Sequence, residues 1–170
     1  MPPQGIWLGL LACGLFVLLG AFLIPYAGIQ KDEALFGIPI FQSDNSLAWR
    51  VWHRDIGLML MTYMGALKSF LYWPILHFFG SSAWSVRLPM VLLGAATIFI
   101  FFRLAGAIGG PRVALLAAFL LATDPSFLMT ETFDWGPVAI EHFLLVTGCW
   151  ALFKFGSRTG RPGIASRKAS

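Results

Sequence analysis

The chain has 170 residues, of which 58% are hydrophobic and only 12% are charged, and its mean hydropathy is +0.75. Soluble domains carry about 25% charged residues, so this composition excludes an ordinary soluble domain and predicts an integral membrane protein. The net charge of +4 does not indicate nucleic acid as a partner, because five of the basic residues lie together in the last 17 residues, which contain no acid. This pattern is typical of a cytoplasmic segment facing anionic lipid. The five are Lys154, Arg158, Arg161, Arg167 and Lys168.

Apolar runs along the chain predict an all-α membrane protein with about four transmembrane helices. The first run, residues 5–27, carries no charge. It is longer than the apolar part of a signal peptide and follows no basic residue, which favours an uncleaved span. Further spans are predicted at 84–105, 113–129 and 135–155, and the glycines and proline of 109–112 predict a tight turn between the second and the third.

Residues 28–83 form a long loop between the first two predicted spans. Its apolar part, residues 56–80, contains Lys68 and Pro74. A lysine near the middle of a bilayer is costly unless it is paired, and a proline interrupts the hydrogen bonds of a helix. We therefore predict interfacial juxtamembrane helices here instead of a fifth span.

The distribution of basic residues predicts the orientation of the spans. The tail, residues 156–170, and the turn at 109–112 are basic and are predicted to be cytoplasmic. The balanced loop 28–83 and the acidic loop 124–134 are then predicted to be non-cytoplasmic. The tail is interpreted as a basic cytoplasmic tail or a truncated linker.

Acids from two separate parts of the chain form the candidate catalytic site. Asp32 and Glu33 directly follow the first span, and Asp134 lies before the fourth. The predicted orientation places both positions in one compartment. Carboxylates at a membrane surface can act as a general base, hold a divalent cation or simply be solvated. Asp134 can also cap the helix that begins near Gly136 and Pro137.

Two pairs of charged or polar residues lie near the predicted spans. Lys68 and Arg87 could each bind a phosphate or extend toward lipid headgroups. Glu141 and His142 lie about two turns inside the fourth span, where ionisable groups are costly. They are interpreted as an intramembrane polar pair, with a neutral packed histidine or a proton path as the alternatives.

Two further acids of the 124–134 loop are expected to be structural or solvent-facing. Asp124 precedes a proline and is predicted to end the third span. Glu131 is predicted to be solvated.

Four short motifs give the chain a resemblance to a known family. They are Asp32-Glu33-Ala34, the stretch 63–74 (YMGALKSFLYWP), Ser85-Val86-Arg87-Leu88-Pro89 and Asp134-Trp135-Gly136-Pro137. In this order and spacing they resemble the amino-terminal region of GT-C glycosyltransferases, nearest to the protein mannosyltransferase and aminoarabinose transferase group with its family 39-like proteins. The resemblance covers most of residues 5–155.

The resemblance implies a membrane glycosyltransferase that takes a sugar from a polyprenyl-phosphate-linked donor on the non-cytoplasmic face. Asp32 then corresponds to the catalytic base or acceptor-site carboxylate, with Glu33 beside it, and Asp134 to a second acid in the cavity. Lys68 and Arg87 would neutralise the lipid phosphate as it leaves. A divalent cation, Mg²⁺ or Mn²⁺, would bind to Asp32 and Asp134 if one is used.

Enzymes of this group have several hundred residues and more spans. The sequence therefore predicts either the amino-terminal part of such an enzyme or a small relative that assembles with a partner subunit, and the 170 residues alone are expected to be inactive. A bacterial inner membrane location is expected. The alternative functions are a non-catalytic four-span subunit and a small transporter or ion-path component.

Overall fold

A computed structural model of the chain describes residues 3–30, 33, 47–51, 54–58, 67–133 and 136–159. The helices are α1 (Pro3–Leu23), α2 (Leu67–Phe79), α3 (Ala83–Thr123), α4 (Pro125–Thr132) and α5 (Val138–Thr159). Two short strands, β1 (Leu47–Val51) and β2 (Arg54–Leu58), form an antiparallel hairpin in which Leu47 pairs with Leu58. In the part of the chain that the structure describes, the regular structure is therefore helical apart from this hairpin.

Three of the described helices are long and apolar enough to cross a membrane, over residues Gly5–Leu23, Ala83–Thr123 and Val138–Ser157. This confirms a helical membrane protein. The predicted first span extends to residue 27, but α1 ends at Leu23. Pro25 explains the earlier end, because a residue that precedes proline is disfavoured in the α conformation.

The 41-residue helix α3 is broken at Gly110, where the sequence predicts a turn between two spans. Gly110 has φ 85° and ψ −179°, a conformation that essentially only glycine adopts. Pro111 follows and has no N–H to donate. The break divides α3 into a first arm, residues 83–109, and a second arm, residues 111–123. Whether these arms are two separate membrane crossings stays a prediction.

The first arm of α3 packs antiparallel to α1. A Cβ at Gly9 would lie 2.7 Å from the Phe102 ring, and one at Gly20 would lie 2.9 Å from Val91. The amino-terminal part of α1 thus lies next to the carboxy-terminal part of the first arm. The carboxy-terminal part of α1 lies next to the amino-terminal part of that arm. Glycine allows two helix backbones this close an approach, as small residues do between membrane helices.

The second arm of α3 packs back against the same helices. Ala114, Ala118 and Ala122 recur every four residues, are fully buried and belong to one apolar core with Phe16 and Val91. Residues at this spacing share one face of a helix. The second arm therefore lies alongside the first, as the predicted turn at 109–112 implies.

Helix α4 begins at once after α3 ends. The Asp124 side chain accepts a hydrogen bond from the Phe127 N–H at 2.7 Å, and Pro125 occupies the first turn. Asp124 ends α3 and caps α4, which agrees with its prediction as the end of a span. The predicted span 113–129 is thus formed by two helices.

The loop between α1 and α3 differs in part from the prediction. Helix α2 is the one described helix of this loop and has 13 residues, fewer than the roughly 20 needed to span a bilayer. It continues through Pro74, which has no N–H to donate within the helix. Whether α2 lies along the membrane surface stays a prediction. The β1–β2 hairpin was not predicted, and β2 lies next to α2.

Candidate functional site

Arg87 organises one end of the helical bundle. It lies in the second turn of α3, whose amino terminus is fixed by a capping box between Ser82 and Ser85. No part of its side chain is exposed. A buried charge is costly unless it is paired and hydrogen-bonded, so its partners decide whether this position is tolerated.

All five N–H groups of the Arg87 guanidinium donate hydrogen bonds. Three go to the carbonyl oxygens of Ile24, Ala27 and Gly28, at 2.7, 2.8 and 2.8 Å. These carbonyls lie at and beyond the end of α1, where carbonyl groups lack partners within the helix and carry partial negative charge. Arg87 thus closes the carboxy-terminal end of α1.

The other two N–H groups bind Glu33. The Arg87 Nε lies 2.7 Å from Oε1 and Nη2 lies 2.8 Å from Oε2, a bidentate pair. The Gln30 N–H also donates to Oε2 at 2.8 Å, and Glu33 is only 2% exposed. Both carboxylate oxygens are therefore occupied.

This pair gives Arg87 and Glu33 roles that differ from the predicted ones. Arg87 neither extends to lipid headgroups nor has an N–H left for a donor phosphate. Glu33 is neither solvated nor available as a base while both of its oxygens accept these bonds. The two side chains instead fix the start of the loop to α1 and α3. A catalytic role for either side chain stays a prediction.

The chain before α5 reaches the same end of the bundle. The guanidinium carbon of Arg87 lies 5.0 Å from the centre of the Phe133 ring. The Lys68 Nζ donates to the Gly136 carbonyl oxygen at 2.6 Å. Residues 133 and 136 are thus held by one cation from α3 and one from α2.

Lys68 is buried, with 1% of its surface exposed. Its Nζ lies 5.6 Å from the centre of the Tyr72 ring, and the Tyr72 hydroxyl donates to the Val86 carbonyl oxygen. These contacts fix α2 against α3. Lys68 therefore lies inside the protein at the Arg87 end, and not at an exposed headgroup position.

Asp32 and Asp134 lie outside the described residues, so their predicted roles stay predictions. Their neighbours Glu33 and Phe133 both contact Arg87. Among the residues with described placement, no group of three or more His, Cys, Asp and Glu could hold a metal ion. A Mg²⁺ or Mn²⁺ site on Asp32 and Asp134 likewise stays a prediction.

The structure places Glu141 and His142, predicted as an intramembrane polar pair, in different surroundings, and a functional role for either stays a prediction. Glu141 is exposed, whereas the His142 Nδ1 lies 2.6 Å from Oε1 of Glu131 on α4. Neighbours in a helix point in different directions, so Glu141 and His142 cannot share a face.

Glu131, predicted to be solvated, is fully buried on α4, where its carboxylate faces Gly94 of α3 and His142 of α5. Burial raises the pKa of its carboxyl group, while the hydrogen bond with His142 and the charge of that ring lower it in part. Its Oε2 has no hydrogen-bond partner among the described residues and would lie 3.1 Å from a Cβ at Gly94. Sequence alone gave no sign of this, because the contact joins two helices.

The structure defines a helical membrane protein with a buried, charge-paired site at one end of its bundle. The family model described as dolichyl-phosphate-mannose-protein mannosyltransferase matches residues 55–160. The chain therefore belongs to this family of GT-C membrane glycosyltransferases. The matched region includes Lys68, Arg87 and Asp134, whereas Asp32 and Glu33 precede it. No curated protein and no solved structure matches the chain significantly.

Proposed function

We propose that the chain is the part of a membrane glycosyltransferase that transfers a sugar from a polyprenyl-phosphate-linked donor to an acceptor hydroxyl on the non-cytoplasmic face. One observation carries the proposal. Arg87 contacts Glu33, which follows Asp32, and also Phe133, which precedes Asp134. The two segments with the predicted acids therefore reach the same buried cation, as one active site would require.

In the proposed reaction the acceptor oxygen attacks the anomeric carbon of the donor. The bond from that carbon to the phosphate oxygen breaks, and the polyprenyl phosphate leaves with the electron pair. Asp32 takes the proton of the acceptor hydroxyl as general base. Asp134 completes the site, and Mg²⁺ or Mn²⁺ is proposed to bind these two carboxylates because hard cations prefer oxygen ligands.

Lys68 is proposed as the residue that stabilises the leaving phosphate. A fixed cation is most effective where charge develops in a site that excludes water, and Lys68 is buried beside Gly136. Arg87, in contrast, is assigned to hold the segments next to the two acids. The proposal thus keeps one of the two predicted phosphate-binding cations and reassigns the other.

The charge distribution supports the proposed orientation. Arg87 lies near the start of α3, and Arg103 lies 16 residues later in the same arm, about 24 Å further along the helix. The Arg103 end carries the basic segments that are predicted to be cytoplasmic. The Arg87 end is then non-cytoplasmic, where lipid-linked donors of this kind are proposed to act.

The test is sugar transfer by the polypeptide that carries this segment, measured in membranes with a radiolabelled lipid-linked donor. Asp32→Asn is expected to lower the rate at least about 100-fold, the loss typical of removing a general base, and Asp134→Asn is also expected to lower it. Asp124→Asn is the matched control. It makes the same substitution at an aspartate that caps a helix, and it should retain most of the activity. Full activity of Asp32→Asn would refute the proposed role of Asp32 as general base. Absence of sugar transfer by the unchanged polypeptide would refute the enzyme and favour a non-catalytic membrane subunit.

A further inference from the structure

A second charged pocket lies at the other end of the bundle, between α3 and α5. It is lined by Arg103, Gly106, Ala107, Trp150 and Lys154 and has a volume of about 240 Å³. Gly106 and Ala107 leave this space because their side chains are absent or small. Pockets for drug-sized ligands have roughly 300–1,000 Å³, so this one suits a smaller group.

Among the described residues, no carboxylate forms an ion pair with either cation of the pocket. Arg103 makes no hydrogen bond or ion pair with any described residue. Lys154 contacts an aromatic ring, with its Nζ 4.9 Å from the centre of Trp150. The sequence contains no Asp or Glu in residues 1–31, 88–123 or 142–170, which include every described residue at this end.

One aromatic ring, that of Trp150, lines the pocket. The Trp150 ring stacks on Phe153 with 6.3 Å between centres and 11° between planes. Tryptophan is enriched at the level of lipid headgroups, where its ring is partly apolar and partly wet. A basic pocket between helices at this level is a typical site for an anionic headgroup.

We propose that this pocket binds a phosphate group, with the Arg103 guanidinium as a planar fork and the Lys154 ammonium as a second cation. The phosphate belongs either to the headgroup of an anionic lipid or to a soluble phosphate ester, since both carry the same chemistry. The proposal concerns the end of the bundle opposite Arg87. It does not depend on sugar transfer.

The experiment compares lipid retention by the purified protein in native mass spectrometry, with phosphatidylglycerol, phosphatidylcholine and glycerol phosphate as probes. The full polypeptide and the double variant Arg103→Gln/Lys154→Gln are compared with Arg112→Gln. Arg112 is an exposed cation in the turn at the same end and does not line the pocket. A fourth variant, Ala107→Leu, keeps both cations and fills the pocket.

The unchanged protein and Arg112→Gln are expected to retain phosphatidylglycerol in preference to phosphatidylcholine. The double variant and Ala107→Leu should bind it at least about tenfold more weakly. If glycerol phosphate displaces the lipid from the unchanged protein, the pocket also accepts a soluble ester; if it does not, the source is the lipid. Equal retention by the double variant, or no preference over phosphatidylcholine, would overturn the proposal.

Discussion

Among single residues, Arg87 contributes most to the site, because its hydrogen bonds and its ring contact hold three parts of the chain together. The guanidinium joins the end of α1, the start of the loop and the chain before α5 through Ile24, Glu33 and Phe133. Removing one partner of a buried ion pair leaves an uncompensated charge and costs about 3–5 kcal/mol. These residues are therefore expected to influence stability before they influence chemistry.

The variant Arg87→Met is expected to destabilise the protein by about 3–5 kcal/mol, because Glu33 and three carbonyl groups lose their donors. Arg87→Lys should recover only part of this loss, since an ammonium has three N–H donors and no planar fork. Thermal unfolding in detergent measures both effects. Arg103→Met, at an arginine without ion pairs among the described residues, is the control and should change stability little. A similar small change for Arg87→Met would contradict the role given to this residue.

Two contacts of single residues could not be predicted from the sequence. The short motifs marked Arg87 and Glu33 as important residues. They did not indicate that the two side chains pair, because the residues are 54 positions apart in the sequence. The burial of Glu131 was missed for a related reason. Its partner His142 lies on a different helix, so no spacing within one helix could indicate the contact.

At the scale of elements, hydropathy and turn residues predicted the helices well. The break at Gly110 and the helix junction at Asp124 fall where glycine and proline indicated them. The β1–β2 hairpin was not predicted. Short strands depend on pairing with each other more than on local propensity, and the five-residue strands here carry few local signals.

The break in α3 predicts that the protein loses stability when Gly110 is replaced. Gly110→Ala should cost about 1–3 kcal/mol, because a Cβ is strained at φ 85° even where no neighbouring atom is close. Gly148→Ala is the matched control: this glycine is helical, a Cβ there meets nothing within 4 Å, and alanine favours the helix. Thermal unfolding compares the two variants. Equal stability of both would show that the two arms do not need this conformation.

At the scale of the whole molecule, the two ends of the bundle differ in their chemistry. One end carries the buried cation Arg87, which is neutralised by its ion pair with Glu33. The other carries Arg103 and Lys154 without a carboxylate in the same part of the sequence. The composition predicted a membrane protein, which the three long apolar helices support. The short motifs predicted the family, which the match of the family model over residues 55–160 confirms. Glu33 and Phe133 are held by contacts to Arg87 across the bundle, which neither hydropathy nor motif order determines.

A single active site requires the segments around residues 32 and 134 to face the same side of the membrane. The most direct test labels single cysteines with a membrane-impermeant maleimide in intact cells, in a protein whose Cys13 and Cys149 are replaced by serine. Asp32→Cys and Asp134→Cys are expected to react from outside, whereas Ser157→Cys should react only after the membrane is opened. Labelling of residues 32 and 134 from opposite sides would contradict a single active site.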